Sequence, residues 1–367
     1  MSELADVFQL ASTQLPVSWY MDPRILEIEK RFLFDRGPGY VGHEIMAPDA
    51  GDYYVPEWMG NSKVLIRNQN GIELLSNVCR HRQSLLLHGR GNTRNIVCPI
   101  HRWTYDLGGK LLGAPHFPEN PCLDLRNIPL QNWNGLLFEG TRNVARDLSD
   151  LGVLRDFDFS GHLLERIQVD EYECNWKTFI EVYLEDYHVE PYHPGLRNFV
   201  NTDELKWEFG EWYNVQTVGV NHAFERPGTP VYARWQEQLL RQSGGNTPRQ
   251  GAIWMLYYPN IMLEWYPHVL IISTLLPRSV KHCTNVVEFY YPEDIALFER
   301  EFIEAEQAAY HETAVEDDQI CTLMTAGREA LYEQGLNETG PYQSPMEDGM
   351  VHFHQFLRQK IDPHIDS

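Results

Sequence analysis

The sequence predicts a protein of the α+β class with two domains, one of them small and all-β. Its 367 residues are more than one compact core usually covers. Residues 40–140 read as short β segments between Gly, Pro and Asn, and longer helical and strand-like segments follow after residue 150. We therefore assign residues 39–150 to an all-β domain and residues 151–367 to an α+β domain. Residues 1–38 form a lead-in that belongs to the second domain.

The lead-in predicts a helix at "DPRILEIEKRFLFD", because Ile25, Ile28, Phe32 and Phe34 recur at roughly helical spacing. The following "RGPGY" ends that helix. In the first domain "QNG" and "LGG" indicate hairpins between short strands. The predicted strand segments are "YYVPEW", "KVLIRNQNGIELLSNV", "NIVCPIHRWTYDLGGKLLGAP" and "GLLFEG".

The second domain begins with a strand-like "LLERIQVDEYEC", followed by "NWKTFIEVYLEDYHVEPYH", whose first part is predicted to be helical. Residues 222–251 are rich in Pro, Gly and Gln and predict a mobile surface segment or lid. Four strands follow: "AIWMLYYP", "IMLEWYP", "VLIISTLLP" and "TNVVEFYYP". A long helix is then predicted from Glu293, with one apolar face. That face is formed by Ile295, Phe298, Phe302, Ala305 and Ala309.

The composition excludes some classes of partner. A formal net charge of −22 argues against nucleic acid or an anionic membrane, because both repel an acidic surface. The longest apolar run, "VLIISTLLP", is too short to span a bilayer, and no secretory signal is recognisable. We therefore expect a cytoplasmic protein. Its six cysteines are too few for a disulfide framework. Four of them have no nearby Cys or His and are interpreted as buried small hydrophobes: Cys122, Cys174, Cys283 and Cys321.

The other two cysteines are spaced like metal ligands, as Cys79-x-His81 and Cys98-x2-His101. Two thiols and two imidazoles could hold a tetrahedral zinc ion, although zinc sites usually draw a Cys pair from one loop. They could also hold a two-iron cluster in which one iron binds both sulfurs and the other both nitrogens. The alternation of Cys and His on two loops favours the cluster.

A second group of possible ligands lies in "EDYHVEPYH". His188 and His193 are five residues apart, a spacing that a regular helix cannot direct to one point, but Pro191 and Pro194 break the helix there. Two histidines and one carboxylate form the facial triad of non-haem Fe(II) sites, which leaves positions open for oxygen and substrate. The carboxylate would come from the late "VEDDQIC", which offers Glu316, Asp317 and Asp318.

Together these motifs resemble the Rieske non-haem iron oxygenases, the terminal oxygenase α subunits of ring-hydroxylating and demethylating systems. The resemblance covers nearly the whole chain. Arg82, Pro99, Trp103 and "YDLGGKLLGAP" match the family's Rieske signature. The signature's usual Pro, Gly and Gly positions hold Arg80, Gln83 and Arg102 instead.

The resemblance implies a fold and a set of roles. It implies a Rieske domain inserted in a catalytic domain with an antiparallel sheet of the helix-grip type and flanking helices. A Rieske [2Fe-2S] cluster would be bound by Cys79, His81, Cys98 and His101, and a mononuclear Fe(II) by His188, His193 and Asp317, with Asp318 as the alternative. Glu185 would connect His188 to a Rieske histidine of the neighbouring subunit, and Asn175 would lie near the iron.

The resemblance also implies partners and an activity. Electrons from NAD(P)H would arrive only indirectly, through a flavin/iron-sulfur reductase or a ferredoxin, at a homotrimer or a dimer of trimers. The enzyme would use O2 as a mono- or dioxygenase on a small molecule. The layout favours the α-only enzymes of choline, carnitine and glycine betaine. A cation site would use strand aromatics: Trp254, Tyr257, Tyr258, Trp265 and Tyr266.

Two alternatives remain open at the level of the sequence. The first is an aromatic or heteroaromatic acid hydroxylase of aromatic hydrocarbon catabolism, because "TAG" replaces the "QRG" that is usual near the last ligand in the quaternary-ammonium group. The second is an iron-sulfur electron carrier without oxygenase activity. His188, His193 and Asp317 argue against the carrier.

Overall fold

The computed structural model describes residues 13–155, 158–221 and 228–365. These residues divide into two compact units. One unit spans Arg36–Arg146 together with residues 158 and 159, and the other contains the remaining described residues. No helix of the described residues is long and apolar enough to cross a membrane.

The Arg36–Arg146 unit is built of short antiparallel strands. Three sheets have the strand orders β1-β11-β10, β5-β2-β3-β4-β9 and β6-β7-β8. Strand β3 pairs with β4 through a two-residue turn at Gln69 and Asn70, as the "QNG" signal predicts. The strands are β1 Gly39–His43, β2 Asp52–Tyr54, β3 Lys63–Asn68, β4 Gly71–Ser76, β5 Arg90–Asn92, β6 Ile96–Val97, β7 Thr104–Tyr105, β8 Leu111–Gly113, β9 Asn127–Ile128, β10 Leu130–Trp133 and β11 Leu136–Glu139. Short 3-10 helices span Glu44–Met46 and Glu57–Met59.

The second unit combines one large antiparallel sheet with helices, so the α+β class is confirmed. The sheet has seven strands in the order β12-β18-β17-β16-β15-β14-β13. They are β12 His162–Tyr172, β13 Val200–Gly210, β14 Tyr213–Val220, β15 Ala252–Tyr257, β16 Ile261–Tyr266, β17 Val269–Ser279 and β18 His282–Pro292. The helices of this unit are α1 Ser18–Met21, α2 Pro23–Glu29, α4 Trp176–Tyr183, α5 Val189–Tyr192, α6 Pro230–Gln242, α7 Glu293–Phe298, α8 Arg300–Glu333 and α9 Asp348–Ile365, with a π-helical turn Lys30–Phe34 and a 3-10 turn Leu196–Asn198. The short helix α3, Val144–Asp147, ends the Arg36–Arg146 unit and enters this one at Asp147.

The long helix α8 crosses one face of this sheet. Its first half packs in an apolar cluster that contains Phe302 of α8 and Trp254 of β15. Further along, Cys321 of α8 belongs to a second cluster with Leu256 of β15 and Trp176 of α4. Since Trp254 and Leu256 are two residues apart on one strand, they lie on the same sheet face. All six residues of β15 are buried, so both faces of the strand are covered and it reads as a continuous apolar run.

Three sequence-based expectations need correction. The predicted lid lies partly on residues 222–227, outside the described residues, but the rest is ordered: Thr229 caps α6 by accepting from the Tyr232 N–H, and Trp235 is buried. The chain leaves helical geometry at Glu299 between α7 and α8, so Phe298 is 79% exposed instead of facing the core. Cys122 is exposed, whereas the other three cysteines of its group are buried as expected.

Candidate metal centres

The two Cys-His loops of the small unit close with the same hydrogen-bond pattern. In the first loop the Cys79 N–H donates to the Ser84 carbonyl at 2.8 Å, and the Gln83 N–H donates to the Cys79 carbonyl at 3.1 Å. In the second loop the Cys98 N–H donates to the Trp103 carbonyl at 2.8 Å, and the Arg102 N–H donates to the Cys98 carbonyl at 3.1 Å. Each ligand loop is therefore a tight turn fixed by its own backbone.

Both turns require a residue in the left-handed region. Gln83 has a φ of 55° and Arg102 a φ of 60°. A non-glycine residue in this region costs roughly 1–2 kcal/mol. These are two of the positions where the sequence departs from the family signature, so the turns keep a glycine-type conformation and the departure changes only the exposed side chains.

The thiols and imidazoles are arranged from inside to outside. Cys79 and Cys98 are buried, at 1% and 2% exposure, while His101 is exposed. The His81 and His101 rings lie 4.6 Å apart, and His81 stacks on Trp103 with 5.0 Å between ring centroids. The Nδ1 atom of His81 is buried and makes no hydrogen bond within the described residues.

This donor set fits a two-iron cluster better than a single ion. A tetrahedral zinc with bonds of roughly 2.0–2.3 Å draws its donors to within about 4 Å of one another. Within the described part of the chain, the one group whose donors all lie within 4.8 Å is His188, His193 and Asp317. Burial opposes ionisation of Cys79, but hydrogen bonds from Tyr105 and from the His81 and Arg82 N–H groups lower the pKa of this thiol. A lowered pKa suits a thiolate ligand.

In the larger unit a single helical turn brings the second pair of histidines together. His188 precedes α5 and His193 follows it, so the two side chains leave from opposite ends of Val189–Tyr192. Their Nε2 atoms are 2.9 Å apart. Asp317 of α8 places its Oδ1 atom 3.1 Å from the His193 Nε2 and 3.4 Å from the His188 Nε2.

Each of the two imidazoles contacts a carboxylate through its Nδ1 atom, which faces away from Asp317. Glu185 lies 2.5 Å from the Nδ1 atom of His188 and also accepts from the His188 backbone N–H at 3.0 Å. Glu316 lies 2.6 Å from the Nδ1 atom of His193. Each carboxylate favours a proton on Nδ1, which leaves the lone pair on Nε2 directed towards Asp317. Sequence reasoning named Glu316 only as a possible ligand and missed this role, for which its position next to Asp317 was the available signal.

The converging atoms fit a divalent metal ion. Burial opposes a charged His188, but the carboxylates of Asp317 and Glu185 outweigh it and raise the pKa of this imidazole to about 10. The site therefore favours a positive charge. The Oδ1 atom of Asp317 is buried and accepts no hydrogen bond within the described residues. Ligands at roughly 2.1 Å and at right angles lie about 3 Å apart, which matches the separation of the two Nε2 atoms.

A small cavity of about 100 Å³ adjoins this site. A water-sized group needs roughly 10–15 Å³ of such space, so the cavity suits a molecule of roughly six to ten non-hydrogen atoms. Besides the converging histidines and Asp317, its wall contains aromatic side chains, the buried Asp186 and two buried glutamates, Glu264 of β16 and Glu306 of α8. The two acids were missed from the sequence, although a Glu inside the apolar "IMLEWYP" was a signal.

The predicted aromatic residues divide into two groups. Trp254 and Tyr266 line the cavity. Tyr257, Tyr258 and Trp265 are not among its lining residues: the Tyr257 hydroxyl donates to Asp147, Tyr258 hydrogen-bonds to Asn214 and His352, and Trp265 is 38% exposed. Tyr257 and Trp265 lie on the opposite strand face from Trp254 and Tyr266, because strand side chains alternate with period two. Tyr258 lies beyond the end of β15.

Asn175, which the sequence predicts near the iron, makes its hydrogen bonds to backbone groups of the fold. Asn175 caps α4, since its Oδ1 atom accepts from the Lys177 N–H at 2.9 Å. Its Nδ2 atom donates to the carbonyls of Tyr20 at 2.8 Å and Val280 at 3.0 Å. Asn175 does not line the cavity, and these contacts give it a structural role.

Comparison with known proteins agrees with this two-centre architecture. Residues 41–131 match the family model of the Rieske [2Fe-2S] domain. Residues 157–362 match the model of the ring hydroxylating alpha subunit, catalytic domain. The chain therefore belongs to the Rieske oxygenases that carry a ring-hydroxylating type of catalytic domain.

Similar proteins narrow the comparison. Putrescine 2-hydroxylase of Ralstonia nicotianae is 58% identical over 99% of this chain and 100% of its own length. Putrescine 2-hydroxylase of Bordetella bronchiseptica is 51% identical over 95% of this chain and 85% of its own length. A quaternary ammonium Rieske monooxygenase solved with L-carnitine shares the fold, with a TM-score of 0.75 at 19% identity over 98% of this chain and 97% of its own.

These similarities confirm the predicted enzyme class and the predicted cofactors. The chain is an oxidoreductase, the oxygenase component of a Rieske non-haem iron system that hydroxylates a small organic substrate. Its cofactors are a Rieske [2Fe-2S] cluster and a mononuclear iron, so the zinc and electron-carrier alternatives are wrong. Proteins of this family use O2 and take electrons from a reductase or a ferredoxin.

Proposed function

We propose that this enzyme hydroxylates a carbon of a short aliphatic diamine, with putrescine as the substrate and one oxygen atom inserted. The observation that carries the proposal is the pair of buried glutamates, Glu264 and Glu306, in the cavity beside His188, His193 and Asp317. Glu264 is 5% exposed and Glu306 is 2% exposed. The similarity to enzymes named putrescine 2-hydroxylase supports the same substrate.

Buried carboxylates in an otherwise aromatic wall favour a cation. Burial raises the pKa of Glu264 to about 8 and that of Glu306 also to about 8. An isolated buried carboxylate is costly, and a paired cation offsets that cost. The faces of Trp254 and Tyr266 add a favourable cation–π surface. An aromatic acid would instead bring a second negative charge into this acidic cavity.

The residues of the metal site have separate tasks in this proposal. His188, His193 and Asp317 hold the iron, which when bound supplies the chemistry of O2 activation. Glu185 and Glu316 keep the protons on the outer imidazole nitrogens, so that the inner nitrogens stay available as ligands. The aromatic wall excludes water from the reacting carbon. The overall reaction converts one C–H bond to C–OH and releases the second oxygen atom as water, with two electrons and two protons supplied.

Electrons enter at the other centre. We place the [2Fe-2S] cluster between Cys79, His81, Cys98 and His101, with the exposed His101 nearest to the electron donor. Glu185 would then link His188 to a Rieske histidine of a neighbouring subunit, in a homotrimer or a dimer of trimers. A flavin/iron-sulfur reductase or a ferredoxin would deliver the electrons of NAD(P)H. A cytoplasmic location is supported by the six cysteines, none of which forms a disulfide within the described residues.

The test is turnover of putrescine with a surrogate reductase, NADH and ¹⁸O2. We expect one ¹⁸O atom in a hydroxylated diamine, with oxygen uptake matched to product. Carnitine, choline and an aromatic acid serve as competing substrates under the same conditions. Efficient oxidation of any of these, with none of putrescine, would overturn the proposal.

A further inference from the structure

We propose, resting on the diamine substrate above, that Glu264 is the residue that determines specificity by binding the substrate ammonium that lies farther from the iron. Gln216 accepts a second N–H of the same ammonium. The two acceptors, Glu264 and Gln216, favour a primary ammonium, because a quaternary ammonium has no N–H to donate. The two ends of the cavity then have different roles. The end at the iron ligands holds the reacting carbon, and the end at Glu264 binds the ammonium.

Three side chains of neighbouring strands form the recognising end. Gln216 of β14 is paired in register with Trp254 of β15, and Trp254 is paired with Glu264 of β16. Residues directly opposite each other in antiparallel strands project on the same face. All three line the cavity, so a carboxylate and an amide flank an indole ring on one rigid row of the sheet.

Glu264 is held in place but keeps room for a stronger donor. Its Oε2 atom accepts from the Tyr266 hydroxyl at 3.3 Å, and its Oε1 atom accepts from the Tyr310 hydroxyl at 3.5 Å. Both distances are long for O–H···O bonds, which are usually 2.5–3.0 Å. Tyr266 is fixed in turn by the indole N–H of Trp254, which donates to its hydroxyl at 2.8 Å. An ammonium would supply the short, charge-assisted bonds that the two hydroxyls do not.

Unused acceptors in the cavity point to a ligand that is rich in donors. The amide nitrogen of Gln216 donates to the Tyr183 carbonyl at 3.1 Å, which fixes the orientation of this amide. Its Oε1 atom is buried and has no hydrogen-bond partner among the described residues. The same holds for the Oδ1 atom of Asn285, which also lines the cavity. A primary ammonium has three N–H donors and no acceptor, so it matches this excess.

The position of Glu264 along the cavity fits a short chain. Its partner Tyr310 lies on α8 two helical turns before Asp317, about 10 Å along the helix axis. Ala309 and Ala314 line the cavity beside these turns and leave apolar space. A methylene chain can therefore lie along α8, with its ammonium at Glu264 and a carbon towards the metal ligands.

Direct binding to the iron-loaded enzyme tests the inference without turnover. Calorimetry under anaerobic conditions would compare putrescine with 1,4-butanediol, a neutral molecule of similar length. We expect Glu264→Gln to weaken putrescine binding on the order of 100-fold, as for a charged partner removed from a buried pair. The same variant should change the affinity for the diol less than about threefold, because the diol carries no charge and an amide oxygen can still accept from its hydroxyl.

The control is Glu288→Gln on β18. Glu288 is also buried, and its carboxylate also accepts from a tyrosine hydroxyl two residues later, but it does not line the cavity. This control should bind putrescine as the parent enzyme does. Glu264→Asp, which keeps the charge, should retain part of the preference for putrescine over the diol. If Glu264→Gln does not fold, the affinities of Glu264→Asp for putrescine and the diol test the inference instead.

The outcomes separate the two proposals. If the parent enzyme neither binds nor hydroxylates putrescine, the substrate proposal fails. If the parent enzyme binds putrescine and Glu264→Gln binds it equally well, or loses the diol to the same extent, the inference about Glu264 is overturned and the substrate proposal stands.

Discussion

The Cys79 and Cys98 loops are held by backbone, whereas the His188 and His193 pair is held by side chains. Each loop closes through two main-chain hydrogen bonds of its own turn. The histidine pair depends on the carboxylates of Glu185 and Glu316 and on Asp317, which is more than a hundred residues away. We therefore expect the Cys79 and Cys98 loops to tolerate changes of the side chains around the ligands. The site of His188 and His193 should be sensitive to single substitutions outside its ligand set.

The largest effect is expected from His188→Ala. Removing one of three ligands should abolish turnover and mononuclear iron binding, because two ligands leave the ion without a stable site. The visible spectrum of the Rieske cluster should persist, since its loops close on their own backbone. Iron analysis, spectra and oxygen uptake would check this. His311→Ala, an exposed histidine on α8, is the matched control. Retained activity in His188→Ala would show that the iron site is elsewhere.

Glu316→Gln should have the next largest effect and tests the side-chain half of the comparison directly. The amide oxygen can still accept from the His193 Nδ1–H, but without the negative charge it holds the ring and its metal-binding tautomer less strongly. Loss of such an outer carboxylate typically costs 10–100-fold in metal affinity or activity. Iron titration of the metal-free enzyme measures it, with the exposed Glu301→Gln on the same helix as control. Unchanged iron affinity would mean that Glu316 does not orient His193.

A smaller effect is expected from pH. Burial raises the pKa of Glu264 to about 8; the hydroxyls of Tyr266 and Tyr310 lower it, while the charges of Glu306 and Asp317 raise it further. Below pH 8 the free carboxyl is mostly neutral and must ionise to pair with an ammonium. Putrescine binding should therefore release about one proton at pH 7, and its affinity should rise by up to about tenfold per pH unit until pH 8.

Calorimetry in buffers of different ionisation enthalpy measures that proton. Glu264→Gln should remove the release. Burial raises the pKa of Glu306 to about 8 as well. If the release survives in Glu264→Gln and disappears in Glu306→Gln, the ammonium is bound by Glu306 and not by Glu264.

The same contrast explains how far the sequence could predict the structure. Ligands on local loops were visible as spacing: Cys79, His81, Cys98 and His101 follow from one stretch. His188 and His193 were visible as a pair close to Pro191 and Pro194, although Pro191 lies inside the short helix α5 and does not break it. Three other features depend on contacts across the fold. They are the contact of Glu316 with His193, the position of Glu264 in the cavity wall and the position of Asn175 outside it. The register between strands β14, β15 and β16 decides which acids meet, and no local pattern encodes it.

The smallest effect is expected from substitutions of Gln83 in the Cys79 loop, which is held by main-chain hydrogen bonds. Gln83 and Arg102 adopt left-handed conformations that cost roughly 1–2 kcal/mol each, and glycine removes this cost while adding roughly 0.5–1 kcal/mol of chain entropy to be lost on folding. Gln83→Gly should therefore raise the free energy of unfolding by about 0.5–1 kcal/mol, followed through cluster absorbance in denaturant. Gln83→Val, which is β-branched, should lower it. Because the turn is closed by main-chain bonds, the cluster spectrum should be the same in all three proteins. A changed spectrum in Gln83→Gly would mean that the side chain, and not the backbone alone, shapes the ligand loop.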